Sequence, residues 1–300
     1  MRGMRGGVGA LARAALLALA LVTAVHLGAQ LRGGGHVAEV TQPLLMPLLL
    51  GALLAGTEPP RGRLVRLFAL GLVLSWAGDT LPRFLDGQAQ FLAMLTSFLL
   101  AQIVYALALW PLRGGSLLAA RSPGRSAARS AGSRGAEGRE ARSRGDGTGR
   151  ALAGRAAVLP YLGAAALIVG LCTPSAGVLL PALVVYAAAI CAMAVLATGL
   201  GVRGGIGGAV FVVSDSLIAL NTFDVLTLPA HEVWVMATYV AAQVLLVLGV
   251  LGHRARAGRQ PRDGAGGGGG GGGSAPGGPP PPAPPAGGGG AGGARGGGGP

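Results

Sequence analysis

Apolar residues in this chain come in long blocks, and polar residues are largely confined to the gaps between them. Eight blocks stand out, at 8–31, 41–56, 64–81, 88–112, 156–172, 177–200, 207–223 and 230–251. Each is roughly 16–25 residues long, about what a helix rising 1.5 Å per residue needs to cross a hydrocarbon layer of ~30 Å. None alternates polar and apolar positions, and all exceed the length of ordinary strands. Inside lipid, backbone polar groups must find partners within the segment, which a helix provides. The pattern therefore predicts an all-α, polytopic membrane bundle of eight transmembrane helices. Blocks 41–56 and 207–223 are short for a full crossing, so each is expected to tilt little or to be partly buried.

Composition agrees with this picture. Of 300 residues, 51% are hydrophobic and only 12% charged, where a soluble domain carries about 25% charged residues. A soluble enzyme with a polar shell is excluded. The net charge is +13, and all 24 basic residues are arginine. All but Arg32 and Arg83 cluster near the start of the first block or near the gaps that follow the second, fourth, sixth and eighth. The opposite side holds Glu39, Asp86, Asp224 and Glu232. Positive residues stay on the cytoplasmic side, so both termini are expected there. A chain without lysine but rich in Arg, Ala and Gly suggests a GC-rich genome, and hence a bacterial cell membrane.

Two stretches have no apolar periodicity. Residues 113–155 are rich in Arg, Ser and Gly, and 253–300 are largely Gly, Pro and Ala. Neither can bury enough surface to offset chain entropy, so both are expected to be disordered. They divide the chain into four helices at 1–112 and four at 156–252. The basic loop lacks the interleaved aromatic residues of single-strand nucleic-acid sites. It is read as a topology determinant with weak attraction to anionic lipid, and no nucleic-acid partner is expected. Arg2, Arg5 and Arg13 precede an apolar run from Ala14 to Val25, which continues to Leu31 with no clear A-x-A site after it. It is read as an uncleaved first span.

Ionisable groups inside a span are costly and point to function. Two carboxyls qualify: Asp79, near the outer end of the third span, and Asp215, in the middle of the seventh. With no lysine in the chain and no arginine deep in a span, neither acid has an obvious cationic partner. Other polar residues gather around them. Gln102 and Tyr105 share a face of the fourth span, as Tyr239 and Gln243 do on the eighth. Gln42 opens the second span, Ser214 precedes Asp215, and Asn221 follows it. Any one of these alone is more often a helix–helix hydrogen bond than a reacting group. A faint repeat relates the halves, with an acid on the third span of each, Ala101-Gln102-Ile103-Val104 in the fourth and Ala242-Gln243-Val244-Leu245 in the eighth. Four spans per half would make this a parallel repeat, and it predicts that the two acids meet across a central pocket.

The remaining chemistry is sparse. Only His26 of the four histidines lies in a span, no zinc spacing occurs, and no metal or other cofactor is expected. Cys172 and Cys191 sit in apolar runs and are read as packed thiols. There is no nucleophile elbow and no phosphate-cradling loop.

Thr41-Gln42-Pro43-Leu44-Leu45-Met46-Pro47, then Ser75-Trp76-Ala77-Gly78-Asp79, then Ser214-Asp215 with Leu220-Asn221, resemble the YhhN family of eight-span membrane proteins. The resemblance covers about residues 36–112 and 156–251. It implies a lysoplasmalogenase-like hydrolase that cleaves the vinyl ether of a lysophospholipid to a fatty aldehyde and a glycerophospho-ethanolamine or -choline. Asp79 and Asp215 match the family's two acids, and Tyr105 is kept. The chain departs from the family pattern with Gln42 in place of Lys and Gln102 in place of His.

Two carboxyls suit that reaction without a metal. One protonates the distal vinyl carbon, and the other takes a proton from the attacking water. Asp215, deeper in its span, is the expected acid and Asp79 the expected base. Gln42, Gln102, Tyr105, Ser214, Asn221, Tyr239 and Gln243 are the expected substrate-binding groups. Buried acids and a two-fold repeat also fit a proton-coupled transporter, and a lipid-binding protein without catalysis is a third reading.

Overall fold

The computed structural model describes residues 2–117 and 158–258. They form eight α-helices: α1 (Arg2–Leu31), α2 (Gly35–Ala55), α3 (Arg63–Thr80), α4 (Gly87–Leu109), α5 (Leu159–Ala176), α6 (Leu180–Ala197), α7 (Val202–Thr222) and α8 (His231–Ala257). Short 3-10 turns extend α3 over Leu81–Phe84, α4 over Trp110–Gly115 and α6 over Thr198–Leu200. Among the described residues there is no strand. The first residues of the loop expected to be irregular, Arg113 to Gly115, lie in the 3-10 turn after α4. The start of the expected tail, from His253 to Ala257, is the end of α8. The rest of both segments falls outside the described residues.

Length and hydropathy alone mark seven stretches as membrane spans, one of them the 42 residues Leu159–Leu200. That stretch is two helices rather than one. Gly177 turns the chain with φ of 49°, and the Cys191 thiol reaches back to donate to the Tyr161 carbonyl at 3.4 Å. α6 therefore runs antiparallel to α5, and the expected eight helices are present. The two blocks that looked short belong to full-length helices of 21 residues each. α2 begins upstream, at Gly35, with His36 and Glu39 in its first turns, and α7 begins upstream, at Val202. Hydropathy marks where lipid begins, whereas the helix runs on into the polar layer.

The surface and interior identify a multi-pass membrane protein. Leu17, Phe84, Val178 and Val202 are more than two-thirds exposed, which is tolerable only where the surroundings are themselves apolar. The interior, by contrast, holds His26, Asp79, Gln102, Asp215 and Gln243. α3 packs on α4, α7 on α8, α4 on α6, and α2 on α8. Small residues set the close approaches. A Cβ at Gly71 would overlap the Tyr105 ring, and one at Gly208 would overlap the α6 backbone at Ala194. The α4–α6 and α2–α8 pairings are those that a two-fold relation between halves would exchange. The outer helices depart from it, with α1 against α2 and α8, and α5 against α6 and α7.

Two prolines inside α2 couple it to α3. A proline cannot donate to the carbonyl four residues back, so Pro43 frees the Glu39 carbonyl and Pro47 frees the Pro43 carbonyl. Both acceptors are taken up from α3 and its 3-10 extension. The Trp76 indole donates to the Pro43 carbonyl at 3.0 Å, and the Arg83 guanidinium donates to the Glu39 carbonyl. On the other side of α2, Thr41 Oγ1 lies 2.9 Å from His26 Nδ1 and ties α2 to α1.

Candidate functional site

At one end of the bundle the helices splay around a cavity of about 730 Å³. Its walls come from the start of α2, the end of α3, the start of α4, the end of α7 and the start of α8. Asp79 and Asp215 both line it, with Gln42, Arg83, Asn221 and Tyr239. The two acids thus share one hollow, as the repeat predicted. Toward the other end of the bundle, Phe68, Leu72, Leu109, Met193 and Leu246 are fully buried and close the interior.

Asp79 is buried on the last turn of α3. The Tyr239 hydroxyl of α8 donates to its Oδ2 at 2.9 Å. Tyr239 is itself fixed by two edge-to-face contacts, with Phe98 at 5.7 Å and Phe211 at 5.8 Å between centroids. One turn after Asp79 stands Arg83. Its Nε donates to the Asp79 carbonyl at 3.3 Å, and its Nη2 to Gln42 Oε1 at 2.8 Å. Arg83 is the only permanent cation among the residues lining the cavity. The sequence placed it in a loop and left the acids without a cation nearby; the structure corrects this by folding the 3-10 turn back over α2. It also puts a guanidinium beside Gln42, where the family resemblance expects a lysine.

Asp215 is buried on α7 and accepts a hydrogen bond from the Tyr186 hydroxyl of α6. It lines a second space as well, a narrow apolar slot of about 60 Å³ walled by Phe91, Leu95, Leu179, Leu183, Ala219 and Phe223 among others. Met94, Phe98, Ile218 and Thr222 border both spaces. Asp215 therefore stands where a polar cavity meets an apolar slot, and Asp79 stands on the polar side beside Arg83.

One turn below Asp79 and Tyr239 lies a closed polar triangle. The Tyr105 hydroxyl donates to Gln243 Oε1 at 3.0 Å, Gln243 Nε2 donates to Ser75 Oγ at 3.0 Å, and Ser75 and Tyr105 are 3.5 Å apart. These three side chains pin α3, α4 and α8 together in a region without water access, where each polar group requires a partner. The Tyr105 ring packs against Phe68 at 4.7 Å between centroids, tilted by 41°.

The expected site residues thus separate into three groups. Asp79, Asp215, Gln42, Asn221 and Tyr239 face the cavity. Tyr105 and Gln243 belong to the triangle beneath it and do not line it. Ser214 donates to the Val235 carbonyl at 3.3 Å, a helix–helix bond, and the amide of Gln102 is buried without a hydrogen-bond partner among the described residues. Asn221 also accepts from Thr227 at 2.7 Å, bracing the loop before α8. Arg83, Tyr186 and Ser75 escaped the sequence reading. Tyr186 carried a signal, as the one strongly polar side chain in an otherwise apolar sixth span. Cys172 and Cys191 are buried and free. Among the described residues no group of His, Cys, Asp and Glu is arranged to hold a metal ion.

The arrangement offers two carboxyls, each oriented by a tyrosine hydroxyl, on the walls of one cavity. It can pass a proton in and take another out while a cation waits at the mouth. No curated protein and no solved structure matches the chain. The family model of the YhhN family matches residues 37–128 and 147–250, most of the chain. By that match the chain belongs to the YhhN family.

Proposed function

We propose that this protein is an integral-membrane hydrolase that cleaves the vinyl ether of a lysoplasmalogen-like lysophospholipid, releasing a fatty aldehyde and a glycerophospho-alcohol. The observation that carries the reading is the shared cavity: two buried carboxyls face one space, polar toward the mouth and apolar beside Asp215. A lysolipid has the same polarity order along its length.

Chemistry then divides the roles. In a vinyl ether the distal carbon lies on the fatty-chain side and the ether oxygen on the glycerol side. Asp215, at the mouth of the apolar slot, is placed to protonate the distal carbon as the double bond opens. The resulting oxocarbenium ion is stabilised by carboxylate charge in a site of low dielectric constant. Water adds to the carbon bearing oxygen, and Asp79 on the polar side takes its proton. The hemiacetal collapses, the carbon–oxygen bond to glycerol breaks, and the leaving oxygen recovers a proton. The balance is one water consumed per aldehyde formed. The Tyr186 and Tyr239 hydroxyls hold the two carboxyls in place, so geometry is fixed before substrate enters.

The arginine distribution supports cytoplasmic termini. In that orientation the cavity mouth opens on the opposite face, toward lipid of the outer leaflet, and the composition supports a bacterial cell membrane as the location. A transporter would open the cavity to each face in turn, and would move solute without forming aldehyde. A protein that only binds lipid would keep its function without the carboxyls. The deciding experiment offers the purified full chain vinyl-ether, alkyl-ether and acyl lysolipids side by side. Aldehyde should form from the vinyl ether alone. Consumption of the acyl lipid instead, or of none of the three, overturns the reading.

A further inference from the structure

We propose that Arg83 is the phosphate-binding residue of the cavity, gripping the phosphate ester of the substrate head group and thereby setting how deep the lipid tail enters. The inference rests on reading the cavity as a lysolipid site. It starts from the bonds Arg83 makes. A guanidinium has five N–H donors. In Arg83, three are engaged, one each on the Glu39 carbonyl, Gln42 Oε1 and the Asp79 carbonyl. All three acceptors are neutral. Among the described residues no carboxylate lies within ion-pair distance of Arg83, the only ion pair being His36 with Glu39. One N–H on each terminal nitrogen is left over for a ligand, and a guanidinium N–H forms a charge-assisted hydrogen bond to a phosphate oxygen.

The anchoring is specific to this position. Pro43 withholds the helical donor that would normally share the Glu39 carbonyl, which leaves that oxygen to Arg83. An arginine held by three neutral acceptors from two helices keeps its full charge and loses little side-chain freedom when a ligand arrives, which favours binding. Distance along the lipid also fits. Arg83 stands one turn beyond Asp79, about 6 Å at helical rise, and in a lysolipid three glycerol carbons separate the vinyl-ether oxygen from the phosphate ester oxygen. A phosphate held at Arg83 leaves the double bond beside the acids and the tail directed at the apolar slot. Glu39 and Glu232 line the same cavity, so a head group with an ammonium beside its phosphate meets residues of both signs.

The test uses alkyl-ether analogues, which lack the vinyl bond, so binding is read without turnover. The full chain in detergent is titrated with 1-O-alkyl-glycerophosphoethanolamine and with 1-O-alkylglycerol, which lacks the phosphate. The wild type should bind the phosphate ester at least tenfold more tightly. Arg83→Gln should erase that ratio while binding alkylglycerol within about twofold of wild type, and Arg83→Lys, which keeps charge but not the guanidinium, should fall between. A preserved ratio in Arg83→Gln overturns the proposal, as does equal weakening toward both ligands, which marks a structural role. Should Arg83→Gln not fold, an unchanged ratio in Arg83→Lys overturns it. Inorganic phosphate competing as well as glycerophosphoethanolamine would make the free anion, rather than the lipid, the ligand and sink the assignment. If vinyl ether goes uncleaved but the Arg83-dependent ratio persists, the hydrolase reading fails and this one stands; cleavage without the ratio gives the reverse.

Discussion

The two buried acids have the same chemistry and opposite neighbourhoods. Asp79 sits at the end of its helix, held by a tyrosine from α8, with a guanidinium one turn away and the open cavity in front. Asp215 sits deeper in its helix, held by a tyrosine from α6, with an apolar slot on one side and the cavity on the other. Their likeness in sequence, one acid on the third span of each half, conceals this difference. A pair of identical carboxyls acquires separate tasks from surroundings alone, and the surroundings come from helices that are distant in the chain.

The comparison breaks most decisively at the acids themselves. Asp79→Asn and Asp215→Asn should each lower aldehyde release by about 10²–10⁴. The double variant should fall little below the worse single one, because the two act as a unit. Full activity in either single variant, measured on protein that elutes as a single species, removes the dyad. The tyrosines come next. Tyr186→Phe and Tyr239→Phe each remove a hydrogen bond to a carboxyl, worth about 1.5–3 kcal/mol when the group is charged, and kcat should drop roughly tenfold or more. The two differ in accompaniment. Tyr239 is wedged between Phe98 and Phe211 and should keep its ring position, whereas Tyr186 borders the slot and its loss should also alter chain-length preference.

A smaller effect sharpens the contrast between the neighbourhoods. Ala219→Leu narrows the slot beside Asp215. It should reduce kcat/KM for long alkenyl chains by about tenfold relative to short ones, the scale of a few methylenes in an apolar pocket. An equal loss for both chain lengths would show that the slot does not hold the tail. The smallest effect lies beneath both acids. Tyr105→Phe deletes one corner of the triangle with Ser75 and Gln243, and should lower stability by about 1 kcal/mol, read as a reduced melting temperature in detergent.

Much of this was visible in the chain. Helix type and the count of eight followed from block length and hydropathy, and even the turn at Gly177, hidden within one continuous apolar stretch, separated two recognisable blocks. Asp79 and Asp215 were visible because a carboxyl inside an apolar run is unusual. Gln243 and Tyr105 were visible as polar residues, but not as partners of each other, since 138 residues separate them. Arg83 was misread for a physical reason. Charge counts treat a loop arginine as a topology signal, whereas its position here depends on a 3-10 turn and on an acceptor created by Pro43 in another helix. Helix ends were also misjudged, because α2 continues through His36 and Glu39 beyond the layer that hydropathy detects.

The contact between Arg83 and position 39 has an evolutionary corollary. The acceptor there is main chain, so it survives replacement of the glutamate by almost any other residue, and drift at that site leaves the latch intact. What would dissolve it is a change at position 43 that restores an amide hydrogen, letting α2 reclaim its own carbonyl. An alanine scan would accordingly register nothing for this bond at the residue that accepts it, and a loss at a proline that neither donates nor accepts it.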